Sequence, residues 1–215
     1  MDDDKKHLQQ SKGKRRTGIM GGTFNPIHMG HLLLAETALS AERLDHVMFI
    51  PSGQPYMKKK EDILPAALRL KMVELAIADN PDFLVSDMEI KRAGNTYTCD
   101  TLEQLKQEQP ETDFFFLMGA DCLFSIETWK NPEKIFAACT VLAAVRNGAD
   151  SMHMQEKCND LADKYAADIR LLPFPETAIS STDIRQLTKA GRSIRYMVPE
   201  TVRLFIQDNR LYKKV

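Results

Sequence analysis

The sequence predicts a Rossmann-like α/β fold, doubly wound, with a mostly parallel sheet covered by helices on both faces. Short apolar runs alternate with longer amphipathic stretches along the chain, which is the pattern of strands and helices in such folds. The run at 114–118 is continuously apolar, as expected of a central strand that is buried on both sides. Open parallel sheets bind ligands beyond the carboxyl ends of their strands, so we expect the functional residues there.

From residue 17 onward the predicted strands and helices alternate. The strands are short apolar runs at 17–21, 46–50, 83–85, 113–118, 140–145 and 169–172. The helices are longer stretches at 31–41, 65–79, 98–107, 152–165, 181–190 and 199–209. We expect residues 17–215 to form a single domain closed by the C-terminal helices. Residues 1–16 are almost all polar or charged and are expected to be a disordered, mobile extension.

The composition argues against several classes of protein. Hydrophobic residues make up 43% of the 215 residues and the formal net charge is -1, which favours neither a disordered chain nor a nucleic-acid-binding protein. No apolar run approaches the roughly 20 residues that span a bilayer, and no signal peptide is recognisable. The four cysteines are widely spaced. We therefore expect a cytoplasmic protein with reduced thiols and with no membrane or nucleic-acid partner.

A glycine-rich loop follows the first predicted strand and opens the first helix. Residues 21–31 read Gly-Gly-Thr-Phe-Asn-Pro-Ile-His-Met-Gly-His. A loop in this position presents backbone N–H groups and the positive end of a helix to an anion. His28 and His31 are three residues apart, so both imidazoles can donate hydrogen bonds to one phosphate. Ordinary helix-capping histidines and a zinc site stay open as alternatives, although no third zinc ligand lies nearby in the sequence.

A second candidate anion site lies near the C terminus. Residues 179–185 read Ile-Ser-Ser-Thr-Asp-Ile-Arg, which places hydroxyl groups at the start of a helix and Arg185 one turn into it. Free N–H groups at the positive end of a helix again suit a phosphate. The alternative is that Ser181 or Thr182 simply caps the helix without any ligand.

Four further residues follow predicted strands and suit a nucleotide. Gly119 and Asp121 come after the central strand, where a ligand can approach the backbone and a carboxylate can accept from ribose; an ordinary helix cap is the alternative. Trp129, the only tryptophan, lies in a polar setting, and its indole face suits a flat, cationic pyridinium ring. Lys58 follows the second strand and is long enough to reach substrate phosphates, unless its lysine-rich loop is merely solvated.

The two anion-site motifs also carry a family resemblance. The segment 21–31 resembles the HxGH-type signature of the nucleotidyltransferase superfamily, and its opening residues resemble the bacterial nicotinate mononucleotide adenylyltransferase branch. The segment 179–185 is similar to the second signature of the same enzymes. Together these resemblances imply a catalytic set of His28, His31 and Arg185, to which a separate resemblance at 55–58 adds Lys58. We assign ATP contacts to Gly21, Gly22, Thr23, Phe24, Gly119, Asp121, Ser180, Ser181 and Thr182.

A further resemblance implies the acceptor site. The segment Asn-Thr-Tyr-Thr and the later Trp-Lys pair are similar to the acceptor pattern of the family, although as plain sequence the first is only a polar helix start. They imply that the nicotinate ring is surrounded by Thr96, Tyr97, Thr98 and Trp129. The family's Pro-Pro-His-Lys is Pro-Tyr-Met-Lys here, so Lys58 keeps its match and the histidine is lost.

The resemblance implies transfer of AMP from ATP to nicotinate mononucleotide, which yields nicotinate adenine dinucleotide and pyrophosphate. The acceptor phosphate is largely ionised at neutral pH, so we expect direct transfer without a general base or a covalent intermediate. Mg²⁺ is expected to enter bound to ATP, with no metal site of the protein itself. Nicotinamide mononucleotide, or a phosphopantetheine or flavin nucleotide, is an alternative acceptor. A non-catalytic nucleotide sensor and a homo-oligomer also stay open.

Overall fold

The strands form one large parallel sheet and one small strand pair. The computed structural model describes residues 14–55, 63–146, 151–175 and 178–213. Its strands are β1 (Arg15–Gly22), β2 (His46–Pro51), β3 (Gln54–Pro55), β4 (Phe83–Val85), β5 (Asn95–Thr96), β6 (Thr112–Gly119), β7 (Thr140–Arg146) and β8 (Ile169–Phe174). Six of them form a sheet in the order β4-β2-β1-β6-β7-β8, with every pairing parallel, and β3 pairs with β5. The predicted doubly wound, Rossmann-like α/β fold is confirmed.

Helices connect the strands and cover both faces of the sheet. They are α1 (Met29–Ala41), α2 (Ala66–Ile77), α3 (Met88–Lys91), α4 (Thr98–Glu108), α5 (Ala120–Ser125), α6 (Pro132–Ala138), α7 (Ser151–Tyr165), α8 (Ser181–Lys189) and α9 (Glu200–Asp208). Within the described ranges, no helix combines the length and the apolarity needed to cross a membrane. All six predicted helices are present, with ends shifted by at most two residues. The prediction lacks five short elements, because a segment of only a few residues shows no recognisable hydrophobic period. These elements are α3, α5, α6, β3 and β5.

β1 begins at Arg15, two residues before the predicted start. The backbone N–H of Arg16 donates to Oδ2 of Asp45 over 2.7 Å, and its guanidinium donates to the carbonyl of Glu42 over 2.9 Å. The same guanidinium lies 4.4 Å from the ring centre of Phe115. The expectation of a mobile extension is therefore wrong for the last two of its sixteen residues, while 1–13 lie outside the described residues.

Side chains that alternate along the central strands build two separate cores. In β6, Phe115 and Leu117 join the core formed with α1, α2, α8 and α9, whereas Phe114 and Phe116 join the core formed with α4 to α7. This division follows from the two-residue period of a strand. Burial of one such phenylalanine stabilises the fold by about 1.5–3 kcal/mol. The continuous apolarity of β6 therefore reflects a strand that is buried on both faces.

The order in which the chain adds strands to the sheet reverses at β1. The chain leaves β1 through α1 and returns in β2 on one side, while β6 pairs with the opposite side of β1. Loops that follow β1 and β6 consequently run to opposite faces and leave a crevice between them at the carboxyl edge. Gly22 and Gly119 end the two strands at this crevice.

Candidate active site

The loop between β1 and α1 is shaped by the packing of Phe24. This residue has a left-handed φ of 47°, and its ring is buried. A Cβ on Gly22 would lie 3.1 Å from that ring, so glycine allows the backbone to pass close over Phe24. The ring centre of Phe24 lies 5.1 Å from that of His31, in an edge-on arrangement. The loop therefore fixes the start of α1 and the positions of the two histidines there.

His28 and His31 lie side by side at the start of α1. Their ring centres are 3.7 Å apart, and the backbone N–H of His28 donates to Nδ1 of His31 over 3.2 Å. Because Nδ1 of His31 accepts, this ring can donate only through Nε2. His28 is only 8% exposed, and this burial lowers its pKa from 6.5 to about 4. At neutral pH His28 is therefore an uncharged imidazole with one N–H to donate.

A zinc site at this histidine pair has no support from its surroundings. Among the residues that the structure describes, no group of three or more His, Cys, Asp or Glu side chains is placed to hold a metal ion. Two imidazoles at the N-terminal end of a helix can each donate a hydrogen bond, an arrangement that suits a phosphate.

The C-terminal motif packs directly on the first loop. Nη1 of Arg185 donates to the carbonyl of Asn25 over 3.0 Å, and the hydroxyl of Ser181 donates to the carbonyl of Pro26 over 2.8 Å. Ser181 and Pro26 are 155 positions apart in the sequence, so only the fold brings the two motifs together. The positive ends of α1 and α8 thus meet at one place, which favours a multiply charged anion.

Ser180 caps α8, so the alternative that Ser181 or Thr182 serves only as the helix cap does not hold. Ser180 has the extended backbone of a capping position, and its hydroxyl accepts from the N–H of Asp183 over 3.1 Å. The same hydroxyl donates to the Asp183 carboxylate over 2.6 Å. Thr182 accepts from Arg185 over 3.4 Å. Because Ser180 caps the helix, the hydroxyl groups of Ser181 and Thr182 make other contacts instead.

Asn25 anchors the first loop to distant parts of the chain, which sequence analysis did not predict. Its Oδ1 accepts from the hydroxyl of Tyr212 over 2.9 Å and from the backbone N–H of Leu64 over 3.3 Å. Burial raises the pKa of the Tyr212 hydroxyl, which therefore stays protonated as a donor. Tyr212 follows the last helix and carries no motif, so no signal in the sequence marks it.

Arg69 is a second residue that sequence analysis did not predict. It lies in the first part of α2 and is only 1% exposed, which makes it one of the largest fully buried side chains. One signal does point to it. Arg69 lies three and four residues before the buried Met72 and Val73, so a charged side chain falls on the apolar face of the helix.

A cavity of about 290 Å³ lies beside the first loop and holds all four predicted acceptor residues. It is lined by Gly21, Gly22, Thr23, Ser52, Pro55, Glu89, Thr96, Tyr97, Thr98, Phe116, Cys122, Trp129, Lys130 and Ile135. Three predicted ATP contacts therefore lie in the same cavity wall as the predicted acceptor contacts. A volume of this size accommodates a small planar ring.

Aromatic rings and one cation form the outer wall of this cavity. The ring of Trp129 stands nearly perpendicular to that of Phe116, with ring centres 6.3 Å apart. Nζ of Lys130 lies 4.3 Å from the ring centre of Tyr97 and 3.0 Å from the carboxylate of Asp100. The cavity therefore offers apolar faces for stacking and a positive charge near its rim.

Glu89 is a buried carboxyl group in the cavity wall that was not predicted. It accepts from Oγ1 of Thr101 over 2.7 Å, and burial raises its pKa. A Cβ on Gly53 would lie 2.3 Å from the carbonyl oxygen of Glu89, so only glycine allows the turn after β2 to approach α3 this closely. Glu89 lies in a mixed polar stretch without a recognisable period, so sequence alone does not mark it.

The remaining predicted residues lie outside this lining. Gly119 precedes the first turn of α5 and Asp121 lies within that turn, both exposed at the carboxyl end of β6. Because β6 adjoins β1, their contact with ATP stays a prediction that the topology permits. Lys58 lies outside the described residues.

Known proteins resemble this chain over nearly its whole length. The cytidylyltransferase-like family matches residues 19–187. A probable nicotinate-nucleotide adenylyltransferase of Lachnoclostridium phytofermentans is 46% identical over 198 residues, which cover 92% of this chain and 99% of that relative. A probable nicotinate-nucleotide adenylyltransferase of a Thermoanaerobacter species is 43% identical, with 93% and 95% covered.

Solved structures share the fold. The Plasmodium falciparum nicotinic acid mononucleotide adenylyltransferase complexed with NaAD aligns with a TM-score of 0.76 at 18% identity, over 92% of this chain and 97% of that chain. With two relatives above 40% identity and a family match from 19 to 187, the chain belongs to the cytidylyltransferase-like family and, within it, to the nicotinate-nucleotide adenylyltransferases.

Proposed function

We propose that this protein transfers AMP from ATP to nicotinate mononucleotide and releases pyrophosphate. The observation that carries the proposal is the docking of Arg185 and Ser181 on the loop that ends at His28. This docking joins two anion sites at the same sheet edge as a cavity with aromatic walls. The names of the relatives described above point to the same reaction.

The ATP side of the site is built from neutral donors and helix ends. His28 is buried and uncharged, so it binds phosphate by donating a hydrogen bond rather than by forming an ion pair. The N-terminal ends of α1 and α8 add partial positive charge, and Arg185 adds a full one. We assign the ATP triphosphate to this place, with the adenosine directed toward Gly119 and Asp121.

The acceptor side suits a pyridine nucleotide. Trp129 and Tyr97 present aromatic rings to the cavity, and a pyridinium ring between them gains stacking and cation–π attraction of about 1 kcal/mol or more. The Lys130 ammonium group lies at the same wall, paired with the Asp100 carboxylate, and its remaining N–H groups can donate to a substrate carboxylate. These features support nicotinate mononucleotide rather than nicotinamide mononucleotide as the acceptor.

The proposed reaction is a direct displacement at the α-phosphorus of ATP. A phosphate oxygen of the acceptor forms the new P–O bond, while the bond from the α-phosphorus to the bridging oxygen breaks and its electron pair leaves with pyrophosphate. The acceptor phosphate has a second pKa of about 6, so it is already ionised and needs no general base. The protein aligns the two phosphates and stabilises the charge on pyrophosphate through His28, His31 and Arg185. We infer that Mg²⁺ enters as MgATP and that Lys58 helps to neutralise the charge on the departing pyrophosphate.

Pyrophosphate release from MgATP tests this proposal directly. We would compare nicotinate mononucleotide with nicotinamide mononucleotide as acceptors, using wild type, His28→Ala and the matched control His153→Ala. His153 is an exposed histidine on α7, far along the chain from the loop. We expect a strong preference for the acid, a loss of roughly 10²- to 10³-fold in kcat for His28→Ala, and unchanged turnover for His153→Ala.

Each other outcome revises a definite part of the proposal. Preference for the amide retains the chemistry and changes the acceptor. ATP binding without turnover of either acceptor contradicts the proposal and favours a nucleotide sensor. An adenylylated protein after incubation with MgATP alone contradicts direct transfer.

A further inference from the structure

The guanidinium of Arg69 connects both halves of the candidate site through backbone carbonyls. Nη1 donates to the carbonyl of Thr23 over 2.8 Å, in the loop assigned to ATP. Nη2 donates to the carbonyls of Ser52 over 2.7 Å and Gly53 over 3.1 Å, in the turn that follows β2. Nε donates to the carbonyl of Leu64 over 3.0 Å, just before α2. One side chain therefore holds three separate segments.

The two segments at the guanidinium nitrogens form separate parts of the wall of the substrate site. Thr23 follows Gly22 in the first loop, and Ser52 belongs to the turn that packs against Glu89 through Gly53. Both Thr23 and Ser52 line the acceptor cavity. The distance between ATP and the acceptor consequently depends on how these two segments are held relative to each other.

A contribution to stability does not by itself explain why a buried arginine occupies position 69. Arg69 is fully buried, and no carboxylate forms an ion pair with it in the described part of the chain. A buried charge costs free energy through desolvation, and apolar residues of similar volume often replace buried charges without loss of stability. What an apolar residue cannot supply is a planar fork that reaches several carbonyls at fixed angles.

We propose that Arg69 is a positioning residue of the transfer reaction, which fixes the loop after β1 relative to the turn after β2. This inference rests on the proposed function, because it concerns the alignment of the two substrates. Each substrate keeps most of its own contacts when the fork is lost. The alignment of the acceptor phosphate with the α-phosphorus is what deteriorates, and a misplacement near 1 Å is enough to slow such a reaction about 10²-fold.

The test compares Arg69→Met and Arg69→Lys with Ile77→Ala as the matched control. Ile77 is buried in the same helix, about 12 Å further along its axis than Arg69. All variants are assayed well below their melting temperatures. We expect kcat of Arg69→Met to fall about 10²-fold, with both KM values within about threefold of wild type. Arg69→Lys keeps the charge but not the fork, so it should lose a similar factor, while Ile77→Ala keeps kcat within about threefold despite a lower melting temperature.

Hydrogen exchange gives a second measurement that needs no acceptor. In Arg69→Met we expect faster exchange of amides in both 23–28 and 52–55, and in Ile77→Ala only in α2. If wild type turns over neither acceptor, the proposed function fails, and exchange still decides whether Arg69 holds the two segments. Wild-type turnover together with full kcat in Arg69→Met overturns the inference, as does an equal loss of kcat in Ile77→Ala or full kcat in Arg69→Lys.

Discussion

Removal of the His28 imidazole should flatten the pH dependence of stability. The substitution His28→Asn keeps a residue type that caps helices well and removes the titrating group. In the folded protein burial lowers the pKa of His28 from 6.5 to about 4. Between these values the unfolded chain binds a proton that the folded protein does not, so wild-type stability falls as the pH falls through this window. Above pH 6.5 protonation of His28 costs no stability, and below pH 4 the folded protein also binds the proton, so no further stability is lost.

The size of the effect follows from the window. Each pH unit below 6.5 costs the folded state about 1.4 kcal/mol, so about 2 kcal/mol is lost on going from pH 7 to pH 5. A loss of this size is a substantial part of the 5–15 kcal/mol that stabilises a typical domain. His28→Asn should lack this component, although its stability at pH 7 can differ from that of wild type for reasons of packing.

Urea unfolding at pH 7 and pH 5 measures the effect. The quantity of interest is the difference between wild type and His28→Asn in the change of unfolding free energy between the two pH values. His153→Asn is the control, since it makes the same substitution at an exposed histidine on another helix. Parallel pH dependences for wild type and His28→Asn would refute the assignment of His28 as a buried, neutral group.

Three further predictions concern the walls of the site. Gly53→Ala places a Cβ 2.3 Å from the carbonyl oxygen of Glu89, so the turn has to move, and we expect a roughly 10- to 100-fold lower kcat/KM for the acceptor in steady-state assays. Tyr212→Phe removes one of the donors to Asn25 Oδ1 and should lower the unfolding free energy by about 1 kcal/mol in denaturant titrations. Nicotinate mononucleotide should quench the fluorescence of Trp129, the only tryptophan, and an unchanged emission spectrum would contradict its place at the acceptor ring.

Most of the fold could be predicted because its signals are local. Each strand of the large sheet is a short apolar run, and the run at β6 is apolar on both faces because both cores need it. The short α5 and α6 carry too few residues to show a helical period. The start of β1 was misplaced because Arg16 is charged, and its stabilising partner, the ring of Phe115, lies in a strand far along the chain.

The two phosphate motifs could be predicted for a related reason. His28 and His31 are close in sequence and lie on one turn of a helix, so their proximity is a local matter. The sequence alone does not identify Ser180 as the cap of α8, because Ser180 and Ser181 differ only in where the helix begins, and such boundaries depend on tertiary contacts. Glu89 joins the cavity only through the packing of α3, which sequence alone does not reveal.

The contacts that join the halves of the site share a property that hides them from sequence. Arg185 and Ser181 donate to the backbone carbonyls of the first loop, and every described hydrogen bond of the Arg69 side chain also goes to a carbonyl. A carbonyl is present at every position, so nothing in the side chain at Thr23 or Pro26 identifies it as a partner. Substitutions of the side chains at Thr23 or Pro26 that leave the backbone in place should preserve these hydrogen bonds. Substitutions of the donor residues Arg69, Ser181 or Arg185 should remove them. Donors of this kind are therefore identified by their burial and by the geometry of the fold, and the apolar face of α2 shows the one case in which sequence points to a candidate.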